Sequence, residues 1–191
     1  VDFVVPTGNF GNILAAWYAR AMGLPVGRLV CASNRNRVLA DFFATGSYDM
    51  RRPFFQTISP SMDILLSSNL ERLLFELSGR DSAWVCSAMA DLRREGCYSV
   101  SPAFLAEASK VFRSGAADDE ETKAAIREVY NSTGYLLDPH TAVAWKVWKD
   151  VGTENRTVIV STASPYKFAG DVLAALTGQG ASGLEAVERL H

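Results

Sequence analysis

Apolar and polar positions follow two periods along the chain. Asp2–Val5 is a short strand-like run, and Gly11–Met22 places Ile13, Leu14, Trp17, Tyr18 and Ala21 at helical spacing. Gly23-Leu24-Pro25 ends that helix. A second apolar run, Arg28–Ala32, precedes a helical pattern over Arg37–Ala44 that stops at Gly46. Strand–helix–strand alternation predicts an α/β fold, a parallel sheet with flanking crossover helices. A third strand is expected at Phe54–Ile58, then a long amphipathic stretch over Ile64–Leu77. Asp81–Lys149 reads as mostly helical, punctuated by Gly96, Ser101-Pro102, Gly115 and Gly134. The β-branched run Thr157–Val160 predicts a late strand. It leads through Ser161-Thr162-Ala163-Ser164-Pro165 to a helix over Tyr166–Leu176, and a Gly/Ser loop and a short helical pattern close the sequence.

Composition adds boundaries rather than chemistry. The chain has 191 residues, enough for one domain, and no repeat or low-complexity linker divides it, so 1–191 reads as one unit. A formal charge of −2 gives no reason to expect nucleic acid or a membrane surface as partner. No apolar run is long enough to predict a membrane span, and no signal peptide is visible. Cys31, Cys86 and Cys97 are odd in number and far apart; they suggest neither a disulfide framework nor a metal site, and a reducing, cytoplasmic location is expected. The acidic run Asp118–Glu121 reads as a solvated first turn of a helix. The sequence opens with Val1 and enters a strand at once, which suggests a fragment or a processed chain.

The candidate chemistry begins at residue 6. A strand end, the loop Gly8-Asn9-Phe10-Gly11-Asn12 and a helix start follow one another. The first turn of a helix has N–H groups without intrahelical acceptors, and the macrodipole adds positive charge there. A glycine-bearing loop lets the backbone approach an anion, so this arrangement suits a phosphate; a tight turn with capping asparagines is the plainer alternative. No Lys follows Gly11 as a mononucleotide P-loop requires, and only two glycines of a dinucleotide fingerprint are present. Ser33-Asn34-Arg35, at the end of the second strand, could still bind a 2′-phosphate, which keeps an NADP-binding oxidoreductase module as an alternative.

PTGNFGNILAAWYARAMGLPV with LVCASNRNRVLADFFATGSYD resembles threonine synthase, a pyridoxal-phosphate enzyme sharing the tryptophan-synthase-β fold. SPSMDILLSSNLERLL, TGYLLDPHTAVAWKV and VIVSTASPYKFAGDVLAAL resemble the same family in the same order, so the resemblance runs from residue 3 to about 176. At Ser164 the chain departs from family members that carry His in this loop.

The resemblance implies that Gly8, Asn9, Phe10, Gly11 and Asn12 bind the 5′-phosphate of pyridoxal 5′-phosphate. It implies that Thr162, with Ser161 as the adjacent fallback, meets the pyridine nitrogen. The implied reaction converts O-phospho-L-homoserine and water to L-threonine and phosphate. Lys167, Arg35 and Arg37, near expected loop mouths, and Asn34 and Asp63, at expected strand ends, are candidates for substrate binding. His140 follows a Asp138-Pro139 helix start and reads as structural rather than catalytic. The family's Schiff-base lysine precedes the GNFGN loop by a long stretch, and only five residues precede Pro6 here. Lys110, Lys123, Lys146, Lys149 and Lys167 lie in later segments, so no catalytic residue is expected in this chain. The expectation is a C-terminal part of a threonine synthase, carrying much of its large cofactor-binding domain and missing its N-terminal half, and inactive alone.

Overall fold

A computed structural model describes residues 1–190. In chain order the elements are β1 Asp2–Pro6, α1 Gly11–Ala21, β2 Leu29–Ser33, α2 Val38–Thr45, β3 Ser47–Asp49, α3 Leu70–Leu77, α4 Ser82–Glu95 and β4 Cys97–Ser99. They continue with α5 Pro102–Ser109, β5 Phe112–Ala116, α6 Asp119–Thr133, α7 Pro139–Val151, β6 Thr157–Ile159, α8 Ala169–Thr177 and α9 Gly183–Leu190. No described helix is long and apolar enough to cross a membrane.

Four strands form a parallel sheet in the order β5-β2-β1-β6. The period of two sorts its side chains between two cores. Val5, Leu29, Cys31 and Phe112 face a cluster with Ile13, Leu14, Phe42 and Phe43 of α1 and α2. Val4, Val30 and Ala32 face Val143, Ala144 and Val147 of α7. Both faces are therefore covered, as the wholly buried strand β2 requires of a parallel sheet. α6 and α8 complete the second layer around Ile126, Val129, Ala142 and Val172.

The expected α/β class holds, with four corrections. Phe54–Ile58 is not a strand, because side chains occupy its backbone groups: Asn36 Nδ2 donates to the Phe55 carbonyl at 2.8 Å, the Phe55 N–H donates to Asn36 Oδ1 at 2.9 Å, and the Thr57 N–H donates to Asp63 Oδ2 at 2.9 Å. Asp63 accordingly follows a 3-10 turn, Pro60–Met62, rather than a strand end. Helix α3 starts only at Leu70, and the preceding residues form a strap tied to Tyr48. Pro165–Phe168 is likewise a separate 3-10 turn ahead of α8.

Three strands, β3, β4 and β5, add to those the sequence pattern predicts. β3 and β4 pair antiparallel as a two-stranded sheet on which Tyr48 and Tyr98 stack, centroids 5.3 Å apart. β5 contains Gly115, which looks like a breaker in sequence. A Cβ there would stand 2.8 Å from Val147 Cγ1, so this glycine lets α7 lie close on the sheet.

Candidate functional site

The loop after β1 and the start of α1 stand at the C-terminal edge of the parallel sheet, where such folds form their ligand crevices. Phe10 is the hinge of this loop. Its backbone is left-handed, φ 63° and ψ 14°, a conformation bulky residues rarely adopt. Burial holds it there: Phe10 is 1% exposed, stacked on Phe43 at 5.8 Å and tilted against Phe112 at 5.9 Å. A left-handed residue followed by helical Gly11 makes a concavity of successive N–H groups, which suits an anion. Among the described residues, the N–H groups of Asn9, Phe10, Gly11, Asn12 and Ile13 meet no protein acceptor.

The first four of these residues, Asn9 to Asn12, border a cavity of about 290 Å³ lined by Pro6–Asn12, Ser61, Thr162 and Ala163. The fold thus brings the first and last motifs of the chain together, because β6 pairs beside β1. The Thr162 hydroxyl has no hydrogen-bond partner among the described residues, whereas Ser161 Oγ lies 3.4 Å from Thr141 Oγ1, whose single proton goes to Asp138. Both residues are exposed. No ionisable side chain lines the cavity. Attraction for an anion there would come from N–H and O–H dipoles and the end of α1, a source worth about 0.3–2 kcal/mol at a helix terminus.

The walls are fixed from beneath. His140, 2% exposed, accepts the Ser61 N–H on Nε2 at 3.2 Å and faces Asp138 Oδ1 through Nδ1 at 2.9 Å. A backbone N–H can only donate, so Nε2 is the acceptor and Nδ1 carries the proton. Asp138 also caps α7 by accepting the N–H groups of His140 and Thr141, and it accepts the Thr141 hydroxyl as well. Burial alone would push the Asp138 carboxyl up; the hydrogen bonds from His140 and Thr141 outweigh it and hold the carboxyl below its usual range. The structural reading of His140 fits this arrangement.

Ser67 and Asn69, which drew no attention in the sequence, hold the loop from the other side. Ser67 Oγ donates to the Gly8 carbonyl at 2.9 Å, and Asn69 Nδ2 donates to the Asn9 carbonyl at 2.7 Å. Ser67 is fixed in turn by Tyr48, whose hydroxyl accepts the Ser67 N–H and donates to the Leu65 carbonyl, each at 2.8 Å. Burial pushes the Tyr48 hydroxyl up to about 12, so it keeps the proton it donates. The only sequence signal was Ser-Ser-Asn directly before a strongly amphipathic helix, which reads as a cap.

The five substrate candidates do not line the cavity. Asn34, 1% exposed, spends its amide on Thr57, Ser59 and Asp63. The Asp63 carboxylate also takes Asn36 and the Thr57 hydroxyl, so this cluster pins the 54–63 loop to the end of β2. Arg35 lies over the Phe55 ring at 3.8 Å, Arg37 pairs with Asp41 at 2.9 Å, and Lys167 is exposed, 5.7 Å from the Phe168 centroid. Ser33 is buried like Asn34, so the Ser-Asn-Arg cluster presents no open pocket for a 2′-phosphate. Lys110, Lys123, Lys146 and Lys149 are paired with carboxylates on the helices they belong to or beside.

A crystal structure of PLP-bound threonine synthase from Brucella melitensis superposes on the whole chain with a TM-score of 0.91 and 42% identity, the chain covering 41% of it. The fold is therefore that of the threonine synthases, pyridoxal-phosphate enzymes of fold type II. Threonine synthase of Pseudomonas aeruginosa is 44% identical over 181 residues, 94% of this chain and 38% of that protein. Threonine synthase-like 1 of Macaca fascicularis is 45% identical over 178 residues, 92% of this chain and 24% of that protein. No family profile matches the chain. The chain is a homologue of part of the threonine synthases and spans well under half the length of these relatives.

Proposed function

We propose that this chain supplies the phosphate- and ring-binding wall of a pyridoxal 5′-phosphate-dependent threonine synthase. The reaction is the conversion of O-phospho-L-homoserine and water to L-threonine and phosphate, carried out in the cytoplasm. The observation that carries this reading is the set of unpartnered N–H groups from Asn9 to Asn12, on residues that line the same cavity as Thr162 with its free hydroxyl. An anion and a ring nitrogen acceptor would satisfy both. The likeness to a PLP-bound threonine synthase supports the same reading.

The residues present fit the group. The N–H groups would hold its phosphate without a cationic side chain, and Gly8 and Gly11 keep the backbone free of Cβ atoms there. Thr162 would meet the pyridine nitrogen with a neutral hydroxyl, which does not enforce protonation as a carboxylate would. When bound, the cofactor supplies an electron-accepting ring for the substrate's carbon skeleton. His140 and Asp138 hold Ser61 at the cavity wall and move no proton in this scheme. Chemistry at the substrate carbons needs an amine base, and no lysine lines the cavity, so the chain alone is inactive. It forms part of the large cofactor-binding domain, and its functional partner is the remainder of the enzyme.

Two titrations test this. Pyridoxine 5′-phosphate lacks the aldehyde that would react with surface lysines, and it should bind the chain while pyridoxine does not. Incubation with pyridoxal phosphate and O-phospho-L-homoserine should release no threonine beyond background. Equal binding of both ligands would overturn the phosphate assignment, and multiple-turnover release would overturn the claim of inactivity.

A further inference from the structure

Asn9–Asn12 line the cavity with N–H groups that meet no protein acceptor, and the direction of those groups depends on what holds the attached carbonyls. A trans peptide unit is planar, with its C=O and N–H pointing in opposite directions, and no peptide bond in the described chain is cis. Fixing the Asn9 carbonyl therefore fixes the direction of the Phe10 N–H, and fixing the Gly8 carbonyl fixes that of the Asn9 N–H. The Asn9 carbonyl accepts two bonds from Asn69: Nδ2 at 2.7 Å and the backbone N–H at 3.2 Å. Asn69 is itself oriented, since its Oδ1 accepts Arg72 Nη1 at 2.6 Å. The Gly8 carbonyl accepts Ser67 Oγ. Neither Ser67 nor Asn69 lines the cavity, so both act from behind the loop.

We propose that Asn69 is a positioning residue for the anion site: by holding the Asn9 carbonyl away from the cavity, its side-chain amide aims the Phe10 N–H into it and sets the affinity for a phosphate group. This rests on the phosphate-binding reading given above. The left-handed Phe10 is where such a hold is needed. A peptide beside a strained residue has a nearby alternative in which the 9–10 unit turns over, and that alternative would present the Asn9 carbonyl to an anion. Packing of the Phe10 ring fixes the side chain and leaves this choice open. The side-chain amide of Asn69 makes the shorter of the two bonds that decide it.

The experiment is a titration of the chain with inorganic phosphate, following the backbone amide resonances of Asn9–Ile13, in wild type and in Asn69→Leu, Asn69→Ala and Ser68→Ala. Asn69→Leu keeps the bulk and removes the side-chain donor, leaving the longer backbone bond. Ser68 Oγ reaches only Asn9 Oδ1, at 3.4 Å, so its removal serves as the control. In wild type the resonances should move saturably. Both Asn69 variants should bind about tenfold more weakly, with the Phe10 amide resonance displaced before any phosphate is added, while thermal midpoints and Ser68→Ala stay near wild type. Asn69 is half-buried and contributes no core surface, and if one variant fails to fold the other decides. Wild type binding with both variants within twofold of it would overturn the role of Asn69 and leave the anion site standing. No saturable shift in wild type would overturn the anion site itself, and the proposal with it.

Discussion

His140 Nε2 and the Ser61 N–H meet at 3.2 Å across 79 residues of sequence, joining the first turn of α7 to the wall of the cavity. The bond uses a nitrogen that is free only while Nδ1 keeps its proton for Asp138. His140→Ala would strand a backbone donor and remove a buried carboxylate's partner. The expected loss is about 2–4 kcal/mol, read as a lower urea midpoint. A variant within 0.5 kcal/mol of wild type would show that the link is incidental.

Apart from the exposed Asp49–Arg51 pair, three carboxyls shape the acid side of the stability profile, with opposite signs. Asp138 has a folded pKa held below its unfolded value, so its contribution is present above the unfolded value and lost as pH falls through the folded one. Asp119 and Asp171 are pushed up, by desolvation first, with Asp63 and Asp118 adding to the shift at Asp119 and Asp119 adding to it at Asp171, so they favour the fold at low pH and oppose it once pH rises through their folded values. Asp171 makes no hydrogen bond that Asn would fail to replace. Asp171→Asn should therefore raise the thermal midpoint at pH 7 and leave it unchanged near pH 3. Scanning calorimetry at the two values checks this, and a gain of equal size at both would contradict the assignment.

Gly8 and Gly11 should respond differently to the same substitution. A Cβ on Gly8 would stand 2.9 Å from the Ser61 carbonyl oxygen and 3.1 Å from Met62 Cα, backbone atoms that cannot swing aside. Gly8→Ala is expected to cost about 1–3 kcal/mol. At Gly11 the nearest such atom is Asn69 Nδ2 at 3.7 Å, an ordinary contact, and the residue is helical. Gly11→Ala should be neutral or stabilising by up to about 1 kcal/mol. Paired denaturation curves decide the matter; equal losses at both positions would mean that the loop tolerates no Cβ at all.

The parts of the fold legible in sequence were those whose signals are local. The β1–loop–α1 unit shows its period and its glycines together, and Asp138-Pro139 announces the start of α7. The missed parts depend on distant partners. β3 and β4 have three residues each and exist because Tyr48 finds Tyr98. Phe54–Ile58 has strand-like composition, yet Asn36 and Asp63, remote in sequence or turned inward by the fold, take its hydrogen bonds. The same holds for the candidate site. Its loop could be read from spacing and resemblance, but the hold of Ser67 and Asn69 on the loop carbonyls is a tertiary fact. Asn34 and Asp63 looked like ligands because polar residues near strand ends often are; here they bond chiefly to each other and to the 54–63 loop.

The central claim is that the N–H groups beginning α1 bind the phosphate of a pyridoxal-type cofactor, with Thr162 at the ring end. Amide resonances followed while pyridoxine 5′-phosphate is added to the chain test this most directly. Saturable shifts at Phe10, Gly11 and Asn12, with a smaller one at Thr162 that inorganic phosphate does not produce, are the predicted result. Shifts confined to other parts of the chain, or equal shifts with pyridoxine, would contradict the account.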